Sequence, residues 1–329
     1  MKHVFIIHSH TTFMTSMGVI NLLGLPVRDI IFFFSRNYNN SLFDLHCKIV
    51  DTTEIVNQQN LLWKNSKRLK IINEIDKLVE NFIGDKYVLY APHFAMPFAQ
   101  VLYTNTKCVK GAYIQEGGVI FRKVYITHLN LLQKIRRFVA DKLYRHCNRI
   151  WSTYGWYMPN CLYKQKTIDS YAISDRFFKY LPSTNHVVKW PPLNINFQYK
   201  KNAIFFIFDG FIKNGLIEPD FYFEKCKQLI EKFAAPLNYI KFHPAQSTVE
   251  RNKIVSFFKN IDVEYEIIND SIPFEIVLST MRGLTIAGFG SSLLFFARDL
   301  GHTVLCMDKW LHDSSMYMRY KERCGFDDF

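Results

Sequence analysis

Five short constellations in this sequence carry side chains able to do chemistry, and all but one sit just after an apolar run of strand length. Gln115-Glu116-Gly117-Gly118 places a carboxylate beside two glycines, where backbone can approach a ligand closely. Such a Glu can take a proton from an attacking hydroxyl, or it is simply a turn carboxylate. His243-Pro244 pairs an imidazole with a proline that fixes the exit from the preceding strand. Histidine can donate to a phosphate or act as an acid near neutral pH, although a lone His is often structural. Gly288-Phe289-Gly290-Ser291-Ser292 opens a predicted helix, whose free N–H groups and dipole favour a phosphate. It is neither a Walker loop nor a GxGxxG fingerprint, and simple N-capping is the competing explanation. Ser9-His10-Thr11-Thr12 follows the opening strand and can bind an anion or a sugar hydroxyl, or cap a helix. Glu275 follows Pro273 at a helix start, where it can accept from ribose hydroxyls or complement the dipole.

The elements that must position these groups alternate between strand and helix. In the first half the apolar runs at 4–7, 30–34, 87–90 and 112–114 predict strands, with helices over 61–82 and 129–148 and a further strand-like piece at 149–152. Each strand is apolar on both faces, as in a parallel sheet covered by helices. Trp190-Pro191-Pro192 breaks the pattern, and 187–201 reads as a link. Strands at 203–208, 238–242, 265–268, 283–287 and 303–307 then alternate with helices at 220–233, 248–260, 273–280 and 293–300. The first of these strands ends at Asp209-Gly210. Alternation of this kind predicts an α/β protein of two doubly wound, Rossmann-like domains, 1–190 and 191–329, with the last helix free to pack back on the first. The expected ligand site is a central cleft faced by the carboxyl ends of both sheets.

The 329 residues carry 41 Lys and Arg against 29 Asp and Glu, a net charge of +12 that favours anionic partners. No helix-turn-helix, zinc-finger or RNP signature accompanies the charge, so nucleic acid is not expected. No apolar run approaches the roughly 20 residues of a membrane span. His8 and His10 interrupt what would be a signal-peptide core. The seven cysteines are scattered without a CxxC pair, which argues against zinc and disulfides and for a reducing cytoplasm. Between 122 and 149 lie Arg122, Lys123, Lys134, Arg136, Arg137, Lys142, Arg145 and Arg149, with Leu132, Ile135, Val139 and Leu143 at helical spacing. That pattern suits either an ordinary packed helix or one that docks on an anionic inner-membrane surface.

Taken in order, the acidic-Gly loop at 115–117, the pair His243-Pro244, Glu275 and the pair Ser291-Ser292 resemble the bacterial sialyltransferases and polysialyltransferases of the two-domain GT-B type. The resemblance implies a CMP-sugar-binding second domain and an acceptor-side first domain. It implies Glu116 as base on the acceptor hydroxyl and His243 assisting departure of CMP. Ser291 and Ser292 would hold the phosphate and Glu275 the cytidine ribose. Gly290, Pro244, Asp209 and Gly210 complete the expected donor site, and Ser9, His10, Thr11, Gln115 and Gly117 the expected acceptor site. Where the family often carries two acids before Gly, the first position here is Gln115. The implied reaction is an inverting transfer of sialic acid, or a related nonulosonic acid, from its CMP-activated form to a glycan or glycolipid hydroxyl. It needs no cofactor, and no metal is expected because Asp327-Asp328, at the C-terminus, is not a strand-end DxD. A nucleotide-sugar epimerase of GT-B-like fold and a noncatalytic, basic membrane-associated protein are the alternatives.

Overall fold

A computed structural model describes residues 1–38, 46–59, 65–117, 168–179, 183–193 and 197–324, together with Leu131, Leu132, Ile135, Arg149 and Leu181. The chain forms two compact units that divide at Trp190 and Pro191.

The first unit holds a seven-stranded, all-parallel sheet of order β3-β2-β1-β4-β5-β6-β7. Its strands are β1 (Lys2–Ile7), β2 (Ile30–Phe34), β3 (Lys48–Asp51), β4 (Tyr87–Ala91), β5 (Cys108–Ile114), β6 (Asp169–Ala172) and β7 (Thr184–Val187). All five residues of β2 and of β4 are buried, the signature of strands covered on both faces. Phe5 of β1 stacks on Tyr90 of β4 at 4.2 Å between centroids. The helices are α1 (His10–Leu23), α2 (Thr53–Asn57), α3 (Asn65–Leu78) and α4 (Pro97–Thr104). Ser9 and Thr12 form a capping box at the start of α1, and Gly24 ends it at φ 59°, a left-handed conformation glycine adopts without penalty. Pro97 begins α4, where its missing N–H has no helical partner to lose.

The second unit holds a five-stranded parallel sheet of order β10-β9-β8-β11-β12. The strands are β8 (Ile204–Phe208), β9 (Leu237–Phe242), β10 (Glu264–Ile267), β11 (Thr285–Gly288) and β12 (Thr303–Cys306). Its helices are α5 (Pro219–Phe233), α6 (Thr248–Asn260), α7 (Phe274–Thr280), α8 (Ser292–Asp299) and α9 (Ser315–Cys324). Phe206, Phe208, Tyr222, Ile240, Phe258, Phe289 and Tyr317 lie in one core. Counted within each unit, the strand order reverses beside the first strand, as in Rossmann-like sheets.

Two expectations need correction. Residues 187–190 are not part of a linker: Val187 ends β7, and the indole of Trp190 is buried and donates to Thr15 Oγ1 at 3.2 Å. Tyr317 of α9 stands in the second unit's own core. Arg149 is not on a solvated basic face: it forks onto Asp76 at 2.9 and 2.7 Å and reaches Thr104 and the Val101 carbonyl. Leu131, Leu132 and Ile135 are exposed, and the rest of the basic stretch 122–149, with the expected helix at 129–148 and strand at 149–152, otherwise lies outside the described residues. Among the described residues no helix is long and apolar enough to cross a membrane, and Cys47, Cys108, Cys226 and Cys306 are free thiols.

Candidate functional site

In the first unit, four neighbouring parallel strands, β2-β1-β4-β5, deliver Arg36, His8, His93 and Glu116 one or two residues beyond their carboxyl ends. Glu116 Oε1 accepts from His8 Nε2 at 2.9 Å, and Glu116 Oε2 lies 4.0 Å from His93 Nε2. Both histidines are buried. Burial alone would push the Glu116 carboxyl up, but the His8 hydrogen bond and the charges of His93, His8 and Arg36 outweigh it and hold it at about 2. Burial pulls His93 down to about 4, so its ring is neutral at pH 7. An ionised Glu116 can only accept, so His8 Nε2 carries the hydrogen. His8 Nδ1 is then the basic nitrogen, and it is buried with no hydrogen-bond partner. Arg36 and Asn37 both adopt left-handed φ angles, 58° and 57°, which turn the chain sharply after β2. Such a turn is unusual for residues with a Cβ and is pinned by Asn37 N donating to Thr53 Oγ1.

The remaining expected residues of this unit have structural duties. Ser9 caps α1 and accepts from Thr12 N at 3.3 Å. His10 opens that helix, its Nδ1 3.2 Å from the Tyr38 hydroxyl, and Thr11 is buried inside it. Gln115 is fully buried and its Oε1 accepts from Ile173 N at 2.8 Å. A Cβ at Gly117 would meet open space. Glu116 is no exposed turn carboxylate. His8 and His93 were not singled out as site residues from the sequence; the signal present was a histidine immediately beyond an apolar run.

In the second unit, β9, β8, β11 and β12 again deliver their groups to one edge. Asp209-Gly210 follows β8, His243 follows β9, Gly288 to Ser292 spans β11 to α8, and Asp308 follows β12. These loops touch. A Cβ on Gly210 would lie 3.0 Å from His243 Nδ1, and one on Gly290 would lie 2.5 Å from Asp308 Oδ1 and 2.7 Å from the Tyr317 hydroxyl. Ser291 caps α8, its Oγ accepting from Leu293 N at 3.3 Å. Ser292 begins α8, half-buried. The α8 amide end therefore offers donors to an anion. His243 is exposed, and its Nδ1 accepts from Ala245 N at 3.1 Å. When neutral it thus presents Nε2–H outward as a donor. Partial burial and the nearby Arg251 lower its pKa, which favours that neutral form. Pro244 is exposed beside it. Glu275 stands in the first turn of α7, and its charge reaches Lys241, whose Nζ donates to the Asn269 and Ile272 carbonyls. Among the described residues no cluster of His, Cys, Asp and Glu could hold a metal ion.

No protein-family model matches the chain, and no curated protein sequence matches it. Solved structures do resemble it. The spinosyn rhamnosyltransferase SpnG superposes with a TM-score of 0.52 at 13% identity, over 98% of this chain and 84% of that one. A putative UDP-N-acetylglucosamine 2-epimerase from Listeria monocytogenes gives 0.52 at 11% identity, over 93% and 78%. The UDP-GlcNAc 2-epimerase from Methanocaldococcus jannaschii gives 0.51 at 11%, over 93% and 84%. At such identities the likeness is one of fold: this chain is an α/β protein of GT-B type, built from two Rossmann-like parallel-sheet units.

Proposed function

We propose that this chain is an inverting, metal-independent glycosyltransferase that moves sialic acid, or a related nonulosonic acid, from its CMP-activated form to a hydroxyl of a bacterial surface glycan. The acceptor class is lipooligosaccharide, O-antigen or capsule. The observation that carries the reading is the buried His8–Glu116 pair, in which His8 Nδ1 has no hydrogen-bond partner. A carboxylate held near 2 is a weak base for a sugar hydroxyl, so Glu116 acts through its neighbour. His8 Nδ1 takes the hydroxyl proton, and Glu116 stabilises the imidazolium that forms. As the acceptor oxygen bonds the anomeric carbon, the bond from that carbon to the phosphate oxygen breaks and its electron pair leaves with CMP. In-line attack inverts the centre. The charge growing on the phosphate meets Ser291, the first amides of α8 and His243 Nε2–H, donors already in place before the reaction. Those donors do the work a metal would otherwise do. Glu275 holds the cytidine ribose in this reading. The enzyme works in the cytoplasm, and the basic residues from Arg122 to Arg145 keep it against the anionic inner membrane where glycolipid acceptors lie.

A shared fold with the two epimerases keeps the second reading, a nucleotide-sugar epimerase, in the test. Calorimetry with CMP, CDP, UMP, UDP and GDP, EDTA present, decides between them. The expected result is preference for CMP, weakened by His243→Ala and by Ser291→Ala. Preference for UDP refutes the CMP-donor reading and points to the epimerase; no nucleotide binding refutes both.

A further inference from the structure

Five hydrogen bonds hold His243 at the end of β9, and one of them reaches it from helix α6. Its main-chain N–H donates to the Phe208 carbonyl at 3.0 Å and to Gln246 Oε1 at 2.9 Å. Its carbonyl accepts from Gln246 N at 3.0 Å, which closes the turn 243–246, and from Arg251 Nη2 at 3.3 Å. Its ring Nδ1 accepts from Ala245 N. Nε2 is the ring nitrogen left to meet a ligand.

Arg251 stands near the start of α6. Its Nη2 carries two hydrogens, and both are committed: one to the His243 carbonyl, the other to Asp270 Oδ2 at 2.9 Å. The same guanidinium lies over the Phe242 ring, 5.4 Å from its centroid. Asp270 is exposed and belongs to the turn 269–272 that follows β10. That turn is fixed in its own right. Lys241, buried on β9, donates to the Asn269 and Ile272 carbonyls at 3.0 and 2.9 Å, and Ser271 N donates to Asn269 Oδ1 at 2.9 Å. One nitrogen of Arg251 therefore ties the loop after β9 to the loop after β10. Stability alone does not account for the tie. Arg251 Nε is buried without a hydrogen-bond partner, which is a cost, and a part-exposed ion pair returns little.

We propose that Arg251 is a positioning residue: by bridging the His243 carbonyl and Asp270 through one nitrogen, it locks the loops after β9 and β10 together and holds His243 Nε2–H toward the phosphate of a nucleotide ligand. The proposal rests on the reading of His243 as a phosphate donor given above and adds the group that aims it. The charged groups on the elements around His243 are Lys241 on β9, Asp209 after β8, Asp270 after β10 and Arg251 on α6. The Arg251 charge is the one that lowers the His243 pKa, so the same side chain also favours the neutral ring.

The experiment is calorimetric titration of the full chain with CMP, UDP and inorganic pyrophosphate, in wild type, R251Q, R251K, D270N, H243A and the H243A/R251Q double variant. R251Q is expected to lower affinity about tenfold, the size of one lost charge-assisted hydrogen bond. R251K is expected to lower it nearly as much, because a point charge on a flexible stem does not reproduce the planar bridge. D270N, a change at an exposed residue, is expected to lower it about threefold, the size of a part-exposed ion pair. In the H243A background R251Q should cost no further affinity, while its cost in urea denaturation stays the same; an arginine with a merely structural role would weaken binding in both backgrounds. Histidine-ring NMR of the ligand-free proteins gives a readout that needs no ligand: the His243 titration midpoint should rise in R251Q and stay low in R251K. Wild-type affinity in both R251Q and D270N, an equal loss in the H243A background, or an unmoved His243 midpoint in R251Q overturns the proposal. The same couplings with UDP in place of CMP sustain it while the CMP-donor reading falls, and failure of all three ligands to bind overturns both.

Discussion

Gly290→Ala tests whether the phosphate loop is shaped by what lies beneath it. A Cβ built on Gly290 would sit 2.5 Å from Asp308 Oδ1 and 2.7 Å from the Tyr317 hydroxyl, where ordinary contact begins at 3.4 Å. The shortfalls are therefore 0.9 Å (3.4 − 2.5) and 0.7 Å (3.4 − 2.7). Neither neighbour can give way cheaply. Asp308 Oδ1 accepts from the Tyr317 hydroxyl, while Oδ2 is held by Lys321 Nζ at 2.6 Å and lies 3.1 Å from His312 Nε2. Both Asp308 and Tyr317 are buried. The backbone of the loop must move instead, by a fraction of an ångström, and forced overpacking of this kind costs roughly 1–3 kcal/mol. We expect a loss of about 2 kcal/mol, read by urea denaturation as a lower midpoint at unchanged slope. Tyr317→Phe removes one of the two clashing oxygens and loosens the other. In that background Gly290→Ala should cost about 1 kcal/mol less, a coupling of the size neighbouring residues show. A cost below about 0.5 kcal/mol, or the same cost in both backgrounds, would refute the close-approach argument.

Three further outcomes follow from the buried ionisable groups. His8→Ala and Glu116→Gln should each lower turnover by roughly 10²–10⁴-fold, and the double variant should be no worse than the worse single one; multiplicative losses would separate the two residues into independent roles. Asp209 keeps its proton up to about 7 in the folded chain, whereas the unfolded chain releases it near the ordinary value of 3.8. Folding stability is therefore lost as pH rises from about 4 to about 7, by up to about 4 kcal/mol, and D209N should be the more stable protein at pH 8 in urea denaturation. His93 runs the other way in pH. Its folded pKa of about 4 lies below the usual 6.5, so the unfolded chain takes up a proton first and stability is lost as pH falls from 6.5 towards 4. By pH 5 the loss should reach about 2 kcal/mol in denaturation midpoints, and His93→Gln should abolish that slope.

The strands that carry the second unit's site were legible because each is a solid apolar run ending in a polar or glycine turn. Ala203 to Phe208 ends at Asp209-Gly210 and Asn238 to Phe242 at His243-Pro244, and β8 and β9 end where those runs do. The edge strands β3 and β7 and their inner neighbour β6 were not legible, being four residues each with polar side chains among them, as in TNHV and DSYA. Asp169 of β6 pairs with Lys110 of β5 and His186 of β7, contacts that stabilise a ladder only after the strands have met. α1 escaped notice for the opposite reason. It is rich in Thr and Ser and buried along most of its length, so no polar face marks its turns.

Residue types and order alone determined that this chain alternates strand and helix, and which side chains stand at strand ends. Glu116, His243 and Ser291 were all named on that basis. Which of them meet a partner was decided by the tertiary fold. Parallel pairing brings the carboxyl ends of β1 and β5 to one edge of a sheet, and so sets His8 against Glu116 across 108 residues of chain. Burial then sets the proton positions. It draws His93 down, pushes Asp209 up, and leaves Glu116 charged only because His8 and Arg36 lie within reach. Desolvation and neighbouring charge are properties of a three-dimensional environment, and no spacing along the chain contains them.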